Sequence, residues 1–141
     1  MTGDDLYQRA IVDLAKSGRG AGRLEAPRAS VVIDNPLCGD RITLDLALDG
    51  DRVSAVGHRV RGCLLCQAAA AAIGANAIGR TPAALRETAA NVTAMLRGHP
   101  LPADAWPELA AFEPARGYKS RHECVLLPFE ALTEALDQAG A

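Results

Sequence analysis

All four cysteines of this chain fall inside three short motifs, Asn35-Pro36-Leu37-Cys38-Gly39-Asp40, Gly62-Cys63-Leu64-Leu65-Cys66 and Arg121-His122-Glu123-Cys124. The motifs are far apart in sequence. A fold that makes one site of them must bring a loop and two helix starts to a single point. Thiols grouped in this way are the pattern of a metal-binding or sulfur-handling site. Two structural disulfides are the competing reading, and the chain argues against them. Its N-terminus, Met1-Thr2-Gly3-Asp4-Asp5, is acidic, and no apolar run approaches the roughly 18 residues of a membrane span. The expectation is a cytoplasmic protein without signal peptide or membrane segment, in a reducing compartment where such cysteines bind metal or react.

The 141 residues suit one domain, 1–141, with a core of its own. A net charge of −2 gives no electrostatic footprint for nucleic acid or an anionic membrane. Leu6, Ala10, Ile11, Leu14 and Ala15 recur at helical spacing, and Ser17-Gly18-Arg19-Gly20 ends that run. Ser30-Val31-Val32-Ile33 is a short β-branched strand that Asn35-Pro36 turns. Ile42, Leu44, Leu46 and Leu48 alternate with smaller or polar residues, the period of a half-buried strand, and Asp49-Gly50-Asp51 makes a hairpin into a third strand over 53–60. From Cys63 the sequence turns alanine-rich through Ile73, so Cys63 should open a helix behind the Gly62 break.

Thr81 as N-cap with Pro82 at the first helical position begins another helix, which stops at Gly98. Residues 99–118, with Pro100, Pro102, Pro107 and Pro114 around Trp106 and Phe112, predict a connection with at most one short helix held down by its aromatics. Ser120 and Glu123 have capping-box spacing, which predicts a last helix beginning around Arg121. Pro128 falls inside that helix, and a kink or a later start near Leu127 would accommodate it. The fold class is therefore α+β: an N-terminal helix, a three-stranded antiparallel sheet, then helices packed on one face.

Cys63 and Cys124 are thus expected at helix N-termini, where unpaired N–H groups and the helix dipole favour thiolate over thiol. Asp40, beyond the tight Gly39 turn, can present a carboxylate to the same point, giving a set of three sulfurs and one oxygen of the kind that binds zinc. Taken singly, each residue has a plainer reading: a lone Cys is usually a small buried hydrophobe, and an Asp after Gly a turn former. His122 is an alternative to Asp40 as ligand, or an exposed helix histidine. His58 and His99 carry no signal beyond polarity.

The strings Asn35-Pro36-x-Cys38-Gly39-Asp40, Gly62-Cys63 opening an alanine-rich helix, and Arg121-x-x-Cys124 before an amphipathic C-terminal helix resemble the NifU/IscU-like iron–sulfur assembly family. The long segment before the third motif and Arg121 resemble its SufU-type branch. The resemblance implies a SufE/NifU-like sandwich and a scaffold or sulfur-transfer protein rather than a stand-alone enzyme. It implies that Cys38, Asp40, Cys63 and Cys124 hold Zn2+ or a transient [2Fe-2S] or [4Fe-4S] cluster. It further implies that Cys38 accepts sulfur from a SufS-like cysteine desulfurase, with Arg121 docking that enzyme or stabilising the attacking thiolate. Downstream apo iron–sulfur proteins or carriers would receive the product. Leu101-Pro102-Ala103-Asp104 does not match the chaperone motif of IscU-like members, and Cys66 departs from the family pattern. Cys63 and Cys66 form a Cys-x-x-Cys, so a thiol–disulfide oxidoreductase using Cys63 as nucleophile and Cys66 as resolving thiol is the second reading. A structural zinc-bound interaction domain is the third.

Overall fold

The computed structural model describes residues 8–37 and 39–141. Its elements are helix α1 (Arg9–Ser17), strands β1 (Ala29–Asn35), β2 (Asp40–Asp49) and β3 (Arg52–Arg61), helices α2 (Leu64–Asn76) and α3 (Pro82–Leu96), a 3-10 segment (Pro107–Gly117) and helix α4 (Lys119–Gln138). The order is the one the periodicities predict. Leu6, expected on the first helix, lies outside the described residues.

The strands form one antiparallel sheet in the order β1-β2-β3. Register decides which side chains face the helices. Ile33, Ile42 and Val60 lie abreast, as do Val31, Leu44 and His58, and Ala29, Leu46 and Val56. Helix α4 covers this face over β1 and β2, and α2 covers it beside β3. Helix α1 packs on α2, and α3 on α4. The register slips between Ala47 and Leu48, so Ser54 is an extra residue on β3. That bulge lets Val53 and Val56 both be buried although strict alternation would put them on opposite faces.

The stretch between α1 and β1 is a strap around the edge of β3. The His58 N–H donates to the Gly20 carbonyl (3.0 Å), and the Gly22 N–H to the His58 carbonyl (2.8 Å). Farther along the same edge, the Val53 N–H donates to Arg80 O (2.9 Å) and the Gly79 N–H to Val53 O (2.8 Å). At the opposite edge the Ser30 N–H donates to the Gln138 side-chain oxygen (2.7 Å). The strap can lie so close only because α2 carries Gly74 there: a Cβ at that position would stand 2.0 Å from the Arg19 carbonyl oxygen.

Beyond β3, the Thr81 hydroxyl caps α3 by accepting the Ala84 N–H at 3.2 Å. The 3-10 segment is longer than the short helix expected, and Trp106 and Phe112 anchor it in the core as expected. Trp106 packs against Phe129, ring centroids 6.2 Å apart. Helix α4 corrects the capping-box expectation. It begins at Lys119 with Tyr118 at the N-cap position and no side-chain cap, because the 3-10 segment leads into it directly and leaves Ser120 inside the first turn. It also continues through the buried Pro128 instead of starting near Leu127. Pro128 has no N–H to give the Cys124 carbonyl four residues earlier, so the missing helical bond falls at Cys124. Among the described residues no helix is long and apolar enough to cross a membrane.

Candidate metal centre

The start of β2, the cap of α2 and the second turn of α4 meet at one end of the sheet. Asp40 closes the β1–β2 connection opposite Asn35, where the Asn35 side-chain oxygen accepts the Leu37 N–H (3.0 Å) and its carbonyl accepts the Gly39 N–H (2.8 Å). Gly39 has φ 75°, left-handed backbone that suits glycine. Cys63 is the N-cap residue of α2. Ligand atoms of Asp40, Cys63 and Cys124 lie within 4.8 Å of one another. Cys38 lies outside the described residues.

Asp40 bonds Cys63 twice. One carboxylate oxygen accepts the Cys63 N–H at 3.1 Å, and the other lies 3.4 Å from its Sγ. The buried carboxylate reaches the helix start because residue 62 has no side chain. A Cβ on Gly62 would stand 2.5 Å from the Asp40 oxygen, so glycine is required by contact as well as by the strand-to-helix break.

The thiols depart from the sequence expectation of lowered pKa values. Burial pushes Cys63 up, and the Cys66 N–H, which favours its thiolate, is outweighed as the Asp40 charge adds to the rise. Cys124 is pushed up more, first by burial and then by Cys63 and Asp40. Cys124 is the sixth residue of α4, beyond the turn whose N–H groups are unpaired, so the helix end does little for it. The two thiols of this cluster hold their protons unless a cation replaces them. Soft sulfur with one hard oxygen suits zinc or iron.

The remaining candidates are placed as follows. Arg121 is half-buried, one turn before Cys124 on α4, and its N–H donates to Tyr118 O at 2.8 Å. The His122 Nε2 is 3.1 Å from the Arg116 carbonyl, toward the 3-10 segment. Cys66 has 0% of its surface exposed and packs in the core. It is not disulfide-bonded, and neither is Cys63 or Cys124. Sequence reasoning placed Asn35 in the first motif and its turn but foresaw neither its bonds to Leu37 and Gly39 nor the contact of Gly62 with Asp40. The Gly62-Cys63 pair was itself the available signal.

The sequence matches the family described as NifU-like N terminal domain over residues 6–125. It is 28% identical over 137 residues to the iron-sulfur cluster assembly scaffold protein IscU of Streptococcus pyogenes serotype M1, covering 95% of this chain and 84% of that one. Over 69 residues it is 42% identical to the zinc-dependent sulfurtransferase SufU of Bacillus subtilis (strain 168), 48% of this chain and 45% of that one. Among solved structures, the N-terminal part of a nitrogen-fixing NifU-like protein from Brucella abortus superposes with a TM-score of 0.92 at 32% identity, covering 97% and 96% of the two chains. A putative iron-sulfur cluster assembly scaffold protein for the SUF system from Fervidobacterium islandicum AW-1 gives 0.89 at 27% identity, covering 96% and 99%.

Proposed function

Since the chain belongs to the family of NifU-like N terminal domains, we propose that it is an iron–sulfur cluster assembly protein that accepts sulfur from a cysteine desulfurase. The observation that carries this reading is the convergence of Asp40, Cys63 and Cys124, with Asp40 in the same sequence motif as Cys38. The names of the IscU and SufU relatives support the two halves of it, scaffold and zinc-dependent sulfur transfer.

In this reading Cys38, Asp40, Cys63 and Cys124 hold zinc in the resting protein, and the nascent cluster is cargo assembled on the same donors. Bound zinc keeps the thiols deprotonated at neutral pH. The Cys38 thiolate attacks the outer sulfur of the desulfurase persulfide. The enzyme's S–S bond breaks, the persulfide passes to Cys38, and the desulfurase regains its thiolate. Arg121 docks the enzyme or steadies the attacking anion. Residues 1–141 act as one domain in the cytoplasm, with a SufS-like desulfurase upstream and apo iron–sulfur proteins or carriers downstream.

The oxidoreductase reading has less behind it, because burial raises the pKa of Cys63, the thiol that would have to attack, and Cys63 is grouped with Asp40 and Cys124 as a set of metal donors. The test is desulfurase turnover of cysteine to alanine. The protein should raise it, and Cys38→Ala should abolish the increase. Turnover unchanged by the wild-type protein would remove the sulfur-acceptor reading.

A further inference from the structure

The face of the sheet turned away from the helices is covered over only half its length. Ser30, Asp45 and Gly57 lie abreast under the strap, where Arg23 and Leu24 reach Asp45 and Gly57 meets Gly22. The next two rows, Val32-Thr43-Arg59 and Asp34-Arg41-Arg61, have nothing over them among the described residues. Arg41, Thr43, Arg59, Val60 and Arg61 line an open depression of about 420 Å³.

Three guanidinium groups therefore crowd two neighbouring strands, with Arg41 and Arg61 directly opposite each other. Like charges in that position destabilise a sheet. One carboxylate answers them: Asp34 stands 3.5 Å from Arg41, both more than half exposed. Neither Arg59 nor Arg61 has an ion pair among the described residues. The chain as a whole is negative, at −2, so this face is a local reversal of sign. Its position is equally specific. Arg41 follows Asp40, Arg61 precedes Gly62-Cys63, and both end at the metal centre. Leu37, 93% exposed, stands on the adjoining loop, and half-exposed Val32 borders the patch.

We propose that Arg41, Arg59 and Arg61 are the docking face for a carboxylate-bearing surface of the cysteine desulfurase, with Leu37 and Val32 as its apolar contacts. The proposal rests on the sulfur-acceptor reading and adds where the donor sits. A partner whose acidic residues meet this face has its reacting group beside the loop and the cap of α2. Charge complementarity of this kind speeds encounter and fixes orientation more than it deepens affinity, so its mark is in KM and salt dependence. Three arginines without an interleaved aromatic, on a net-negative chain, do not suit nucleic acid.

The experiment is desulfurase kinetics with this protein as the varied acceptor, at low and at physiological salt, using zinc-loaded full-length chain. Arg59→Gln with Arg61→Gln should raise KM about tenfold at low salt, two exposed ion pairs at the upper end of their usual strength. It should leave kcat and zinc content unchanged and flatten the salt dependence. Arg59→Lys with Arg61→Lys should restore most of the loss, and Arg9→Gln, which removes a charge from α1, should do nothing. An unchanged KM in the glutamine variant, or an equal effect of Arg9→Gln, would overturn the docking face and leave the acceptor reading standing. Absence of any stimulation by the wild-type protein would overturn both.

Discussion

Strand β2 carries two buried aspartates five residues apart, and their surroundings are opposite. Asp45 is fully paired: it accepts the Arg23 Nε (2.7 Å), the Ser30 hydroxyl (2.6 Å) and the Leu24 N–H (3.0 Å). Burial alone would raise its carboxyl, but these hydrogen bonds and the Arg23 charge outweigh it and hold the group below the usual carboxylate range. Asp40 has no ion pair among the described residues and faces two thiols instead. One end of the strand has brought its own cation, and the other gathers the donors of a cation site. A buried carboxylate is a structural pin or a ligand according to what the rest of the fold supplies.

The contrast breaks most readily at the metal end. Cys63→Ser should lower zinc affinity more than about a hundredfold, the loss of a ligand exceeding that of an outer partner, while Cys66→Ser stays close to wild type. Competition with a chromophoric chelator reads both, and equal impairment would make Cys66 a ligand and unseat Asp40. The next effect is in stability. Asp45→Ala should cost about 2–3 kcal/mol in a denaturant titration, since it strips Ser30 and the strap of their partner, and should leave zinc stoichiometry at one. Asp40→Ala should do the reverse, holding the unfolding midpoint of metal-free protein while weakening zinc. Loss of stability in both would erase the distinction between pin and ligand.

The smallest effect is with pH. His58 is buried between Leu44 and the strap, with its Nε2 2.7 Å from the Arg19 carbonyl, and burial lowers its pKa despite that hydrogen bond. A depressed folded pKa means that stability is full above the unfolded value and is lost as protons bind. Metal-free protein should therefore begin to weaken below about pH 6.5 through His58, and again below about pH 4 through Asp45. Asp45→Asn should remove the second step and keep the first. Thermal unfolding across that range measures both.

How much of this was legible follows from the range of each interaction. Helix and strand order came from local periodicity, and Thr81 capped α3 where its neighbours said it would. Asp40, Cys63 and Cys124 could be singled out because thiols in motifs are rare. The partner of Asp45 could not, since Arg23 lies across a strap whose course depends on Gly57 and Gly74 touching it. Ser54 looked like any strand residue, and only pairing with β2 reveals the bulge. The raised thiol pKa values were misjudged because helix position was weighed without burial. The start of α4 was misplaced because capping spacing says nothing of a 3-10 segment running into the helix.

The strap has one more consequence, for life among other copies of the chain. The exposed backbone of an end strand is a template on which a second molecule can add its own strand. With a net charge of −2, mutual repulsion does little to keep copies apart. Yet the bonding groups of His58 and Val53 on the β3 border are already taken by the strap and by Gly79 and Arg80, and Gln138 takes the Ser30 N–H on the other border. A segment that the sequence marks only as the glycine-containing end of α1 is, in the folded molecule, what occupies the His58 stretch of that border.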